Sequence, residues 1–365
     1  MRLHPQLKDI HSRLNDLIEK GEPAALATLI ETYGSTPQTP GFSALFTSRG
    51  LHTGTLGGGI LEKDAETRAV SALQHRESIL YDFALEADLT SPEGAICGGG
   101  VSVLIDADPA SQLAAFQALV RSREKRIPGA LVSWITREAD RIVVQRRWVS
   151  SGDDIPSAED PSARSWSEIF ECIRSKQPGL FPLEPDTASR KTATSLLFVE
   201  PVFPLPRLVI AGAGHIGAAL SHWGSRLEFE VTVIDDRPEF ACVENLPDAD
   251  HILVADIGST LRERPMGSDT YVVIVTRGHR NDGEALRACV VSEAAYLGMI
   301  GSRSKIALMR DQFLEQGWAT AEQWNRVHTP IGLEIQSQTV EEIAVSIAAQ
   351  LVLERRRATQ KSTNP

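Results

Sequence analysis

The chain has 365 residues, 42% of them hydrophobic, and a formal net charge of −11 at pH 7. That length predicts two or three domains with sizeable cores. The acidic balance argues against nucleic acid or an anionic membrane as the main partner and is sufficiently explained by solubility. Four cysteines (Cys97, Cys172, Cys242, Cys289) stand far apart with no C-x-x-C, which argues against a disulfide framework or a structural zinc site. No apolar run approaches the ~18 residues of a membrane span, and Met1-Arg2-Leu3-His4-Pro5 lacks the apolar core of a signal peptide. The expected location is the cytoplasm.

Leu3, Leu7, Ile10, Leu14, Leu17 and Ile18 recur at helical spacing, predicting an amphipathic helix stopped by Gly21 and Pro23. Ala24–Thr32 and Ala44–Thr47 read as strands, separated by Gly34-Ser35-Thr36-Pro37-Gln38-Thr39-Pro40-Gly41. That stretch is a tight loop of small residues and prolines, and a structural turn accounts for it equally well. The second strand leads into Gly54-Thr55-Leu56-Gly57-Gly58-Gly59-Ile60-Leu61-Glu62. Such a glycine run feeding a helix exposes backbone amides that can hold a phosphate or another oxyanion.

Ile60–Leu73 is helical by pattern, and Ser78–Phe83 and Val101–Ile105 are strand-like. Before the latter stands Cys97-Gly98-Gly99-Gly100. A cysteine beside glycines is accessible, and backbone donors there can stabilise a thiolate; the plainer alternative is a small buried hydrophobe. A helix from 113 and a strand pair, Ala130–Thr136 and Arg141–Trp148, follow, turning at Glu138-Ala139-Asp140. Residues 151–163 read as an exposed loop, 165–176 as a helix, and 178–206 as a proline-marked connector holding one strand, Ser195–Val199. The domain boundary falls near 203–206, so that residues 1–203 form a mixed α+β domain with a middle segment at 111–195.

The second domain, 204–357, opens on a dinucleotide fingerprint. The apolar run 208–211 reads as a buried strand, Gly212, Gly214 and Gly217 make G-x-G-x-x-G, and a helix begins at Ala218-Ala219-Leu220. A second strand, Val231–Ile234, ends in Asp235-Asp236. The glycines let the backbone approach a pyrophosphate at the helix N-terminus, and the acid accepts from a ribose hydroxyl. Asp235 suits NAD, and Arg237 is placed to accept the 2′-phosphate of NADP. His215, inside the fingerprint, either touches ligand or covers the loop.

Strands at 251–254, 271–275 and 296–300 continue a parallel sheet, each followed by a loop at the carboxyl end, where ligands bind in open α/β sheets. These loops carry Thr276-Arg277-Gly278-His279-Arg280-Asn281-Asp282, Ile300-Gly301-Ser302-Arg303-Ser304-Lys305 and His328-Thr329-Pro330-Ile331-Gly332-Leu333-Glu334. His279 is a candidate for phosphate binding or proton transfer, against the plain role of a polar loop residue. Arg303 suits bidentate contact with a phosphate or carboxylate. Thr339-Val340-Glu341-Glu342 is a capping box for a last helix with Ile343, Ile347 and Leu351 on one face; it ends near Arg355-Arg356-Arg357, and 358–365 is expected to be disordered. G-x-S-x-G, a Walker lysine motif and H-E-x-x-H are all absent from the sequence.

In this order, the motifs resemble the XdhC/CoxI family, accessory factors for xanthine dehydrogenase and aerobic carbon monoxide dehydrogenase. Gly34–Gly41 is similar to that family's G-S-x-P-R-x-x-G, Gly54–Glu62 to its G-T-x-G-G-G-x-L-E, and Cys97-Gly98-Gly99 to its C-G-G. The similar blocks of the second half are Gly212–Gly217, Val233–Pro238, Thr276–His279, Ile300–Lys305 and Pro330–Leu333. The resemblance covers about 20–105 and 196–352. Gln38 stands where the family usually has Arg, which removes a cation, and Ile60 stands where many members carry Cys, which leaves Cys97 as the thiol of this region.

The resemblance implies an α/β chain, an N-terminal XdhC-type domain followed by a Rossmann-like domain, that binds molybdenum cofactor (molybdopterin or its cytosine dinucleotide). It implies support for sulfuration of that cofactor and its insertion into a molybdenum hydroxylase client, with a cysteine desulfurase as a further partner. On this reading Cys97 is the ligand to molybdenum or the sulfur acceptor. Gly34, Ser35, Gly57, Gly58, Gly59, Glu62, Gly212, Gly214, His215, Gly217, Asp235, His279 and Arg303 are the candidate cofactor-binding residues. The Rossmann domain would hold the nucleotide tail or NAD(P). A maturation chaperone is favoured over an NAD(P)-dependent oxidoreductase, for which no convincing proton-transfer pair stands out, and over a regulatory protein that senses nucleotides. The expected assembly is a homodimer.

Overall fold

The computed structural model describes residues 10–85, 99–139, 141–153, 163–184 and 193–363, with backbone alone at 163–164, His279 and 358–363. Cys97 therefore lies outside the described residues, as do Leu3 and Leu7 of the opening helix. The chain divides into two compact units at Pro204/Leu205.

The N-terminal unit contains α1 (Ile10–Glu19), β1 (Ala25–Tyr33), β2 (Ser43–Thr47), β3 (Gly50–Gly54), α2 (Gly59–His75), β4 (Ile79–Ala84) and β5 (Gly100–Asp106). It continues with α3 (Leu113–Glu124), β6 (Gly129–Glu138), β7 (Arg141–Ser150), α4 (Ala163–Ser175), β8 (Gly179–Pro182) and β9 (Ser195–Val202). Among the described residues these strands form two antiparallel sheets, ordered β3-β2-β1-β5-β4 and β7-β6-β9-β8. β3 and β8 are additions to the expected strands. β3 is short, with Leu51 exposed, and β8 sits in the stretch that reads as a connector; neither has the length for a clear alternation.

Side chains alternate across a strand, and in β1 that alternation separates two cores. Ala25, Ala27 and Leu29 face α2, whose Leu61, Ala65, Ala69 and Ala72 lie one above the other on the sheet side. Ile30, with Leu104 of β5, faces the second sheet through Ile135, Leu180, Leu196 and Phe198. Residues of α4 (Ile169, Cys172 and Ile173) cover the far face of that second sheet. One buried ion pair joins the sheets, between Arg146 of β7 and Asp106 at the end of β5. Asp106 also accepts from the amide of Asp108 at 3.0 Å, and the Arg146 guanidinium lies over the Phe116 ring at 5.5 Å.

The second unit contains β10 (Arg207–Ala211), α5 (His215–Arg226), β11 (Glu230–Asp235), β12 (His251–Val254), α6 (Ile257–Glu263), β13 (Thr270–Ile274) and α7 (His279–Cys289). β14 (Tyr296–Met299), α8 (Arg303–Glu315), α9 (Ala321–Asn325), β15 (Val327–His328) and α10 (Val340–Thr363) complete it. All strand pairings are parallel, in the order β12-β11-β10-β13-β14-β15. This is the doubly wound Rossmann order, with its switch point between β10 and β13.

Alternation again separates two faces. Val209, Ala211, Val272 and Ile274 pack on α6, α7 and α8, while Leu208, Ile210, Val273 and Tyr296 pack on α5 and α10. α5 starts three residues before the expected Ala218, because the fingerprint glycines turn directly into the helix at Gly214. The predicted capping box forms: Thr339 Oγ1 accepts from the Glu342 amide at 3.3 Å, and Glu342 Oε2 accepts from Thr339 N at 2.9 Å. α10 then continues through the expected disordered tail to Thr363. Among the described residues no helix is long and apolar enough to cross a membrane.

Breaking a buried ion pair strands one charge and costs about 3–5 kcal/mol. Arg146→Met should therefore destabilise the N-terminal unit by about that much, and Arg146→Met/Asp106→Leu should recover most of it. Urea unfolding of the two variants checks this.

Candidate functional site

In the N-terminal unit three of the sequence motifs come together. Tyr33 at the end of β1 pairs with Gly100 at the start of β5, so the loop 34–41 leaves the sheet where Gly99 and Gly100 enter it. The contact is close: a side chain on Gly99 would meet Tyr33 O at 2.6 Å, along with Ser35 O. The glycine turn lies on the same loop, since a Cβ on Gly57 would fall 2.7 Å from Pro37 Cγ. Gly34 and Ser35 are exposed.

Gly57, Gly58 and Gly59 all have positive φ (116°, 74° and 61°), and at Gly58 and Gly59 the space a Cβ would take is open. This shape leaves room for an oxyanion in front of α2. Glu62 is turned back into the loop, its Oε2 accepting from Thr55 Oγ1 at 2.6 Å and Leu56 N at 3.1 Å. The structure thus gives Glu62 the job of holding the turn.

Two of the described cysteines, Cys172 and Cys289, are poor thiolates. Burial, with Glu168 adding to it, pushes the Cys172 thiol up to about 11, and burial pushes that of Cys289 to about 12. Cys242 is half-buried. Among the described residues no group of three His, Cys, Asp or Glu side chains could hold a metal.

In the Rossmann unit His215, His279 and Arg303 are the first residues of α5, α7 and α8. Those helices follow β10, β13 and β14, so all three residues stand at the carboxyl edge of the sheet. His215 and Arg303 are exposed there. Gly217 packs against the Gly212 carbonyl with no room for a Cβ, whereas nothing lies within 4 Å of a Cβ on Gly214. That open space is where the fingerprint lets a phosphate approach.

Asp235 differs from the expectation. Its Oδ2 accepts from the Ala213 amide at 2.7 Å and from Arg237 Nη2 at 2.9 Å. Its Oδ1 accepts from the Arg237 amide at 3.0 Å and from Arg237 Nε at 2.8 Å. The residue is 2% exposed. Burial alone would raise the carboxyl, but the Arg237 guanidinium and the two amides outweigh it and hold it below the ordinary carboxylate range. Arg237, expected to meet a 2′-phosphate, has its Nε and Nη2 taken by this bond and its guanidinium over Phe240 at 4.0 Å.

A cavity of about 260 Å³ opens beside them, lined by Asp235, Asp236, Arg237, Ile257, Thr276, Arg277 and Asn281. Behind it Asp282, 1% exposed, accepts from Thr276 Oγ1 at 2.6 Å and pairs with Lys305 of α8. Asp282 and Lys305 are not distinguishable as site residues from sequence. Their roles depend on a contact across 23 residues, and only the strand-then-helix grammar of the two loops hints at it. The block 328–333 is an anchor: Gly332 N donates to Gln350 Oε1 at 2.8 Å, and Ser346 Oγ to the Leu333 carbonyl at 2.6 Å.

Strand order, fingerprint and cavity together define a Rossmann-fold protein with an antiparallel α+β unit before it. Two family models match, one described as the XdhC Rossmann domain over residues 208–351 and one as the XdhC and CoxI family over residues 17–84. The chain is 27% identical over 362 residues to a Bacillus subtilis (strain 168) protein named as a probable xanthine dehydrogenase subunit, covering 96% of this chain and 98% of that one. It is 24% identical over 345 residues to the uncharacterized protein YqeB of Escherichia coli (strain K12), covering 94% of this chain but 46% of that protein. A crystal structure named as a xanthine dehydrogenase from Bacillus halodurans matches with a TM-score of 0.72 at 25% identity, covering 94% of this chain and 95% of that one. The chain belongs to the XdhC/CoxI family.

The contrast between the two fingerprint glycines is testable. Gly214→Ala should leave the melting temperature nearly unchanged, while any nucleotide held at this edge should bind at least ~10-fold more weakly. Gly217→Ala should lower stability by about 1–3 kcal/mol through overpacking. Thermal unfolding and calorimetric titration separate the two. The Asp235 carboxyl, held low in the fold, contributes stability that is complete above its unfolded pKa of about 3.9 and is lost as pH falls through its folded value. Asp235→Asn should therefore be less stable than the parent at pH 7, with the difference shrinking below about pH 4.

Proposed function

We propose that this protein is an accessory factor that binds molybdenum cofactor, as molybdopterin or its cytosine dinucleotide. In this reading it supports sulfuration of the cofactor and its insertion into a molybdenum hydroxylase of the xanthine dehydrogenase type. The observation that carries the reading is the gathering of the loop 34–41, the turn at Gly57–Gly59 and the strand start at Gly99 on one edge of the N-terminal sheet. A pterin with a phosphate or dinucleotide tail needs oxyanion cradles, and the open space at Gly58, Gly59 and Gly214 fits that need. The Bacillus subtilis relative, of nearly the same length and named for a xanthine dehydrogenase, supports the choice of client.

Cys97 is two residues before Gly99 in sequence. A thiolate there is the soft ligand that molybdenum accepts, or the acceptor of sulfur from a cysteine desulfurase. Gln38, in place of a cation, leaves anion binding at this edge to backbone amides. Metal insertion needs no hydride acceptor, so the Rossmann unit serves to hold the cofactor's nucleotide tail. NAD(P) binding with oxidoreductase activity is the competing reading, and the same cavity favours it.

The test loads the parent and Cys97→Ser with molybdenum cofactor and measures pterin fluorescence retained after gel filtration. Stoichiometric retention by the parent, with at least a ~10-fold loss in the variant, is expected. Retention by neither overturns the carrier role and leaves the NAD(P) reading.

A further inference from the structure

The cavity in the Rossmann unit sits where the nucleoside half of a dinucleotide belongs. Its walls come from the end of β11 (Asp235, Asp236, Arg237), the start of α6 (Ile257) and the loop after β13 (Thr276, Arg277, Asn281). These are the carboxyl ends of strands beside the switch point, over the β11 side of the fingerprint. The acid at the end of the second strand would ordinarily accept from the ribose, but here that acid is closed off. Asp235 is 2% exposed, and both oxygens are filled by Ala213 N, Arg237 N and the Arg237 guanidinium.

The next residue is in the opposite condition. Asp236 is exposed and lines the same cavity. A carboxylate there accepts hydrogen bonds from a ribose diol and repels a second anion. Arg237, the cation nearest to it in sequence, is already bound to Asp235 through Nε and Nη2 and packed on Phe240. Its charge is therefore largely neutralised before any 2′-phosphate arrives. Arg277 and Asn281 form the wall that follows β13.

We propose that this cavity is a ribonucleotide site in which Asp236, and not Asp235, reads the ribose, and that it selects a free 2′-hydroxyl over a 2′-phosphate. The inference rests on the Rossmann unit holding a nucleotide, and it narrows the ligand class to nucleotides with an unmodified ribose. Asp235 and Arg237 are positioning residues that set the direction of Asp236 and of the fingerprint loop.

Titration calorimetry on the full chain with NADH, NADPH, ADP and 2′-deoxy-ADP tests it. NADH should bind at least ~10-fold more tightly than NADPH, roughly 1.4 kcal/mol, and ADP more tightly than its 2′-deoxy analogue. Asp236→Asn should bring the NADH-to-NADPH ratio close to one with an unchanged melting temperature. Equal or tighter NADPH binding by the parent, a ratio that survives Asp236→Asn, or no nucleotide binding at all each overturns the inference. Pterin retention without 2′-discrimination defeats this inference alone; 2′-discrimination without pterin retention defeats the maturation reading alone.

Discussion

A carboxylate removed from water costs several kcal/mol unless cations and amides surround it, and in this fold that requirement organises the edge of the sheet where ligands would bind. Asp235 ends β11 at 2% exposure, and its oxygens find partners by drawing in Arg237, two residues on, and the amide of Ala213 inside the glycine loop. The glycine loop is consequently fastened to the second strand at a defined height. The approach to Gly214 stays open, with no atom within 4 Å of where a Cβ would sit. Beside this closed carboxylate the next acid, Asp236, stays exposed and lines the cavity.

The same device recurs elsewhere in the chain. Asp282, at the start of α7 and 1% exposed, takes the Thr276 hydroxyl and the Lys305 ammonium, so the loops after β13 and β14 are locked to each other. Asp106 closes β5 in the N-terminal unit and pairs with Arg146 across the two sheets. In each case a buried acid is satisfied by one particular cation, two residues on for Asp235 and from another helix or sheet for Asp282 and Asp106. Such pairs are weak sources of net stability relative to apolar packing, but an unpartnered member is heavily penalised. They therefore discriminate strongly against loop arrangements that separate the two charges. That is a useful property in a protein whose candidate site is built from several loops.

The N-terminal unit handles its motif edge differently, with glycines and backbone in place of charge. Gly57 and Gly99 are pressed against Pro37 and against the carbonyls of Tyr33 and Ser35, contacts that no side chain could make. Glu62 returns to brace the turn through Thr55 and Leu56. What is left at the surface is main chain with little side-chain chemistry of its own.

Much of the framework was legible in the residues themselves. Short apolar runs marked the buried strands of the Rossmann sheet, the glycine spacing marked its first turn, and Thr339 with Glu342 marked the start of α10. Each of those signals is local, carried within a few residues of the element it specifies. β3 and β8 were not legible because such short strands carry too little periodicity, and α10 outran its expected end because helix continuation needs no further apolar signal. Local sequence also marked Asp235 as an acid at the end of a strand and Arg237 as a cation beside it. Only the tertiary structure decided that the two bind each other, that Asp282 reaches Lys305, and that Asp236 faces the cavity. Those outcomes depend on which charges burial brings together, and burial is a property of the packed chain as a whole.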